Sequence, residues 1–194
     1  MVIHLEKKGI RIFAIAESFV QSDLRSILAG VVIRRDLTID GLIFDSVTIK
    51  GTDSTQIILS MYRNINRNDI NCILLGGTII SILNIIDGHK LQNLLRVPVI
   101  AVSTVEGKGL NKHNLLRFEN GDSRLQLYEA LPERAELKLW TGKAVHVRNW
   151  GITESEVLSL LNDITLQGSR PEPIRIANLA ARAYRISCKP TSNL

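Results

Sequence analysis

Short apolar stretches open the chain. Residues 10–16 (IRIFAIA), 26–34 (SILAGVVIR) and 41–49 (GLIFDSVTI) are rich in β-branched side chains and bounded by turn residues, the pattern of strands. Asp40-Gly41 is a hairpin signal between the second and the third. Strands so close in sequence are expected to pair antiparallel, as a meander. The period then lengthens. Ile57, Ile58, Met61, Tyr62 and Ile65 share one face of a helix over residues 53–65. Residues 72–75 read as a buried strand, 79–93 as a helix and 98–102 as another buried strand. That alternation points to parallel crossover units.

A polar segment over 104–122, expected to be mobile, precedes a short helix over 125–131 and a strand pair at 136–139 and 144–150. The last third is helical. Thr153 and Glu156 match a capping box, and Val157, Leu160, Leu161 and Ile164 supply the apolar face behind it. Pro171 and Pro173 interrupt the chain, and a helix over 173–185 carries Ile174, Ala177, Ala180 and Ala181 on one side. This order predicts an α/β fold: a mixed five-stranded sheet with flanking helices and a helical C-terminus. That is the ribonuclease H-like arrangement, here in a single domain over residues 1–194.

Composition narrows the class. With 194 residues, 45% hydrophobic and 22% charged, the chain is neither disordered nor collagen-like. Its 24 basic and 19 acidic residues leave a formal charge of +5, which permits a polyanionic partner without requiring one. Cys72 and Cys188 cannot form a disulfide framework and are expected to be reduced thiols of a cytoplasmic protein. The opening MVIHLEKKG lacks the apolar run of a signal peptide. Residues 70–86 carry no charge, yet fall short of the roughly 20 residues a bilayer requires. Asn71 and the Gly76-Gly77 pair interrupt them, so a soluble chain without a membrane span is expected.

The candidate chemistry is acidic. Carboxylates converging at a sheet edge would suit Mg²⁺ or Mn²⁺, which take hard oxygen ligands. Glu17 closes the first strand, Asp53 opens the first helix, and Asp87 follows later. Glu17 stands where a charge meets an apolar strand end; the alternative is a solvated residue just past the strand. Asp53, in GTDSTQ, equally suits a helix N-terminus. His4, His89, His113 and His146 lack the spacing of a zinc site. Ala144, His146, Arg148 and Trp150 share a strand face, either a strip for nucleic acid or a half-buried sheet surface. Arg34-Arg35, Lys108, Lys112 and Arg117 add scattered positive charge. No GxxxxGK[ST], GxGxxG or GxSxG motif is present.

RPEPIRIANLAAR, over residues 170–182, resembles the PEPxRxAD or PEPxRxAH segment that closes endonuclease V. AIAESF (14–19), AGVVIRRDLTIDG (29–41), LLGGTIISILNIID (74–87) and VPVIAV (97–102) resemble more closely an archaeal family related to that enzyme, called endonuclease dU. The resemblance runs over residues 8–185. It implies a ribonuclease H-like fold and a metal-dependent endonuclease for DNA repair. The bond cut would be a phosphodiester near deoxyuridine or deoxyinosine, with Mg²⁺ or Mn²⁺ as cofactor and DNA, or RNA, as partner. The first-strand aspartate of endonuclease V falls at Ala16, with Glu17 one place later; Glu17 substitutes only if the strand ends or bulges there. The second acid corresponds to Asp53. The aspartate-glycine pair of the third corresponds to Gly76-Gly77, and the last ligand to Asn178. The expected site is therefore Glu17, Asp53 and Asp87 for catalysis, Glu17, Asp53 and Asn178 for metal, and Arg35, Lys108, Lys112, His146 and Arg148 for nucleic acid. Two alternatives remain: a nucleic-acid-binding module whose metal site is degraded, and a protein–protein module on the same fold.

Overall fold

Alternation along the first strand, β1 (Arg11–Ser18), sends Ile12, Ala14 and Ala16 to one face and Phe13, Ile15 and Glu17 to the other. Both faces are apolar, so each must be covered by helices. The computed structural model describes residues 9–104 and 110–188. In it β2 (Arg25–Arg34) lies antiparallel to β1, and β3 (Ile39–Thr48) antiparallel to β2. On the other side β4 (Ile70–Leu75) runs parallel to β1. Two hairpin strands follow, β5 (Ile79–Ile80) and β6 (Asn84–Ile85), and then β7 (Val99–Ser103), parallel to β4. The pair β8 (Ala135–Lys138) and β9 (Ala144–Trp150) extends the same sheet antiparallel from β7. The order is β3-β2-β1-β4-β7-β9-β8. Its first five strands are the expected mixed sheet, and the additional strand pair lengthens it to seven.

One face is covered by α5 (Glu154–Asp163) and α6 (Glu172–Ser187). Val157 and Leu160 of α5 and Ile164 at its C-terminal cap, with Ile174, Ala177 and Ala181 of α6, pack on Ile12, Ala14, Val31 and Leu74. The capping box of α5 is complete: Thr153 Oγ1 accepts the Glu156 N–H, and the Thr153 N–H donates to the Glu156 carboxylate. The other face is covered by α1 (Ser54–Asn64) and α2 (Gly88–Leu95), through Ile58, Leu59, Met61 and Leu91 against Phe13, Ile15, Val32 and Ile73. Cys72 is fully buried, and burial pushes its thiol up to about 12, so it stays protonated and unreactive. Among the described residues no helix is long and apolar enough to cross a membrane.

Gly30 shows how tight this core is. A Cβ there would meet Phe13 Cε2 and Cζ at 2.5 Å and Ile43 Cγ2 at 3.0 Å. Phe13 is fully buried and has nowhere to move. Gly30→Ala is expected to cost about 1–3 kcal/mol in urea unfolding. Adding Phe13→Leu should recover part of that loss; a single variant as stable as the parent would contradict the packing.

The largest departure from the sequence pattern lies at residues 79–93. The continuous helix expected there is absent. In its place β5 and β6 form a hairpin, and α2 begins only at Gly88. Ser81 and Ile82 have φ of 47° and 75°, and the Leu83 N–H donates to Ser81 O at 3.0 Å. This is a γ-turn of positive φ, costly for a β-branched residue. The apolar residues mislead because they serve two cores. Ile80 and Ile86 join the core under α1, whereas Leu83 and Ile85 pack with Leu115. That second cluster lies beneath α3 (Lys112–Leu116), which occupies part of the segment expected to be a polar loop, and α4 (Gly121–Glu129), the helix expected over 125–131, which begins four residues earlier.

Candidate active site

The parallel strands β1, β4 and β7 end at one edge of the sheet, the side on which open α/β folds place their ligands. Glu17 stands there, on the α1 face of β1. Its carboxylate accepts from Ser26 Oγ at 2.7 Å, Ser81 Oγ at 2.7 Å, and the Ser81 N–H at 2.9 and 3.0 Å. The strained hairpin tip is what presents Ser81. Pairing of β1 with β2 runs unbroken through Glu17↔Leu28 and Ser18↔Ile27. No bulge swings Glu17 onto the face of Ala16.

The Ala16 face holds a different group. A Cβ on Gly76 would lie 3.7 Å from Ala16 Cβ and 3.5 Å from Ile174 Cγ2. Ala16 and Gly76, the two positions that the resemblance sets against acids of endonuclease V, therefore adjoin one another under α6, and both are without a carboxylate. Asn178, expected as a metal ligand, instead donates through Nδ2 to Glu17 O at 2.9 Å and clamps the end of β1.

Asp53 precedes α1 but makes no side-chain cap bond to it. Its carboxylate accepts from the Thr48 N–H at 3.1 and 3.2 Å, Thr48 Oγ1 at 2.9 Å and Asn84 Nδ2 at 2.7 Å. Asn84, fully buried, supplies the cap in its place by accepting the Ser54 N–H at 3.1 Å. Burial would raise the Asp53 pKa, but the hydrogen bonds from Asn84 and Thr48 outweigh it and hold the group below its ordinary 3.8. A depressed carboxylate pKa stabilises the fold above the unfolded value, and the benefit fades as pH falls through the folded one. The stability gap between wild type and Asp53→Asn, measured by urea unfolding, should therefore be present at pH 7 and shrink below about pH 4. A gap independent of pH would contradict this.

Asp87 leaves the candidate set. It caps α2, accepting the Lys90 N–H at 2.8 Å, while its own N–H donates to Thr55 Oγ1 at 2.9 Å. It lines a separate cavity of about 200 Å³ with Lys90 and Arg124. Among the described residues no three His, Cys, Asp or Glu side chains converge on a point that could hold a metal ion. The donor set fits Mg²⁺ in one mode only: a single carboxylate, Glu17, with water and substrate phosphate completing the shell. Among the described residues Glu17 Oε1 accepts from the Ser81 N–H, and the other three hydrogen bonds go to Oε2, so a lone pair on Oε1 remains for a cation.

The expected basic contacts divide. Arg35 is ion-paired with Asp163, and Lys112 with Glu129 at 2.8 Å, so both are engaged on the surface. The Glu129 carboxylate accordingly raises the Lys112 pKa. Lys108 lies outside the described residues. His146 and Arg148 do come together, lining a cavity of about 250 Å³ with Gly76, Gly77, Tyr128 and Arg134. Gly76 and Gly77 also wall the small pocket that holds Glu17, so carboxylate and cations stand on two sides of one glycine pair.

The pattern of the chain gave no warning of three further residues. Ser81 and Asn84 position Glu17 and Asp53 from a segment that reads as helix. Arg124, buried in α4, donates to Lys50 O at 2.5 Å, to Gly51 O and Leu83 O at 2.8 Å each, and to Glu119 O at 3.0 Å. It ties the turn before Asp53 to the hairpin.

A mixed sheet in this order, with a C-terminal helix packed over β1 and β2 on one face, defines the ribonuclease H-like class of fold. The chain superposes on human ENDOV with a TM-score of 0.68 at 15% identity, covering 97% of this chain and 92% of that one. On Ciona intestinalis endonuclease V, in complex with a 24mer DNA containing an inosine followed by a ribo-adenosine, the TM-score is 0.64 at 13% identity, covering 94% and 88%. A protein of unknown function from Archaeoglobus fulgidus gives 0.77 at 24% identity, covering 90% and 98%. Within that class the model of the Endonuclease dU family matches residues 8–185. A UPF0215 protein of the archaeon Pyrobaculum calidifontis is 32% identical over 173 residues, 89% of this chain and 95% of that one. The chain belongs to the endonuclease dU family.

Proposed function

We propose that this protein is a divalent-metal-dependent endonuclease of DNA repair, cleaving DNA that contains a deaminated base. The observation that carries the reading is the shared Gly76–Gly77 wall, with the Glu17 carboxylate on one side and Arg148, Arg134 and His146 on the other. A phosphodiester lying across that wall meets a group able to hold Mg²⁺ or Mn²⁺ and groups able to hold its charge. Glu17 is the metal-holding residue. Asp53 acts through Asn84, fixing the hairpin that orients Ser81 on Glu17, and is a positioning residue. The bound ion would polarise the phosphoryl oxygen and stabilise the leaving oxygen.

The test is incubation with duplexes carrying one deoxyuridine or one deoxyinosine, with Mg²⁺ or Mn²⁺. Nicking near the modified base, absent with a chelator and absent on the unmodified duplex, is the expected result. The contact of Ala16, Gly76 and Ile174, none of which carries a carboxylate, favours a second reading: a nucleic-acid-binding module without catalysis. Salt-sensitive binding with no nicking at any metal concentration would select it.

A further inference from the structure

We propose that the turn between β8 and β9 and the cavity beside it hold an unpaired nucleotide, its base stacked on Trp140 and its phosphate on Arg170. Trp140 is 63% exposed, so its indole fills no core. It is held in place all the same. Its backbone N–H donates to Asn162 Oδ1 at 2.9 Å and its Nε1–H to Thr165 O at 2.8 Å, which fixes one edge of the ring. Thr141 Oγ1 donates to Gly168 O, so the turn is bolted to the loop between α5 and α6. Among the described residues no aromatic ring or cation lies against the indole. A fixed, uncovered indole face suits base stacking, because little ordering remains to be done on binding.

That loop lines a cavity of about 460 Å³, within the roughly 300–1,000 Å³ of small-ligand sites. Thr104, Gln167 and Ser169 offer it hydroxyls and an amide, groups that meet sugars and phosphates. Arg170 offers a charge. Among the described residues its side chain has no hydrogen bond or ion pair, whereas Glu172 on the same wall is paired with Arg175, and Asp163 with Arg35. The guanidinium is thus left to complement a backbone phosphate. Position ties the cavity to the edge that carries Glu17. Ser103 of β7 pairs with His146 of β9, so the β8–β9 turn projects past the end of β7, where Thr104 follows. The first turn of α6 puts Glu172 on this cavity and Ile174 against Gly76. The guest is unpaired because a base stacked inside a duplex has no free face for the indole. Its identity as a nucleotide rests on the nucleic-acid reading above.

One unmodified oligonucleotide sequence, as a single strand and as a duplex, is titrated by fluorescence anisotropy at fixed salt and Mg²⁺. Trp140→Leu should weaken single-strand binding about fivefold to a hundredfold, the worth of one stacked base, and leave duplex binding unchanged. Trp140→Phe loses the same Nε1–H bond to Thr165 O but keeps a ring, and should retain most of the affinity. Arg170→Gln should weaken binding and lower the slope of log affinity against log salt by about 0.7, one phosphate contact. Intrinsic emission should be quenched as the single strand binds, since the other tryptophan, Trp150, is only 9% exposed. Parental single-strand affinity in Trp140→Leu, or an unquenched parent at saturation, overturns the proposal. Equal losses in the Leu and Phe variants overturn it too, assigning Trp140 to the structure of the loop. Any of these results alongside nicking of deaminated-base duplexes by the parent would remove the stacking site alone. If the parent neither binds nor nicks any nucleic acid, the functional reading and the stacking site fail together.

Discussion

Glu17→Gln is expected to lower metal-dependent nicking about a hundredfold or more, while the protein unfolds at nearly the same urea concentration as the parent. A ligand ion that supplies several kcal/mol of transition-state charge stabilisation accounts for a factor of about 10²–10³. The substitution is clean because of what surrounds the residue. Ser26 and Ser81 contribute hydroxyls, which can turn to accept from the new amide, and the Ser81 N–H keeps an oxygen acceptor. Shape and hydrogen bonding are thus preserved, and only the charge is removed. Nicking by Glu17→Gln at the parental rate would eliminate Glu17 as the metal-holding group. Loss of stability alongside activity would instead mark it as a structural carboxylate of the hairpin.

Arg124→Met is expected to cost about 3–5 kcal/mol of folding stability, the range for breaking a buried charged network by removing one partner. The arginine is 6% exposed and serves four backbone carbonyls, of Lys50, Gly51, Leu83 and Glu119. Methionine fills a similar volume but leaves those acceptors without a donor, at about 1–3 kcal/mol for each one that stays dry. Arg124→Lys should fall between the two, since a single ammonium cannot span carbonyls from three segments. Denaturant unfolding of all three proteins measures the order. A methionine variant within about 1 kcal/mol of the parent, the scale of an ordinary surface change, would show that water replaces the guanidinium. The carbonyls of Lys50 and Leu83 flank the contacts that hold Ser81 and Asn84. Nicking should therefore fall in Arg124→Met even where the protein remains folded.

Legibility in the sequence followed the range of the interactions. The meander of β1, β2 and β3 announces itself through short β-branched runs, a property of neighbouring residues. The same holds for α5, whose capping box spans four positions. The Asp40-Gly41 pair is not the turn of the meander. It lies inside β3, opposite a bulge at Val32 and Ile33, and the chain reverses between Arg34 and Thr38 with Leu37 at a φ of 67°. Glu17 was visible because a charge ended an apolar strand. Its partner was not, because Ser81 lies 64 positions away. Asn84 reaches Asp53 across 31 positions, and Arg124 reaches Gly51 across 73. Asp87 shows the opposite case. Its bond to the Lys90 N–H is local and structural, and nothing in a one-dimensional pattern separates a capping aspartate from a catalytic one. The ion pairs of Arg35 and Lys112 were hidden for the first reason, since their acidic partners Asp163 and Glu129 come from distant segments.

By itself the sequence determined the strand meander, the two C-terminal helices with the capping box of the first, the apolar covering of both sheet faces and the absence of acids at Ala16 and Gly76. Each is set by residue identity or by a period of two to four positions. Tertiary structure alone decided the rest. It turned 79–86 from an apolar run into a strained hairpin, because Ile80 and Leu83 have separate cores to enter. It faced Glu17 away from Ala16 by keeping β1 and β2 in unbroken register. It also gathered Arg134, His146 and Arg148 around one cavity, since charges from a loop and a strand meet only when the sheet edge is built.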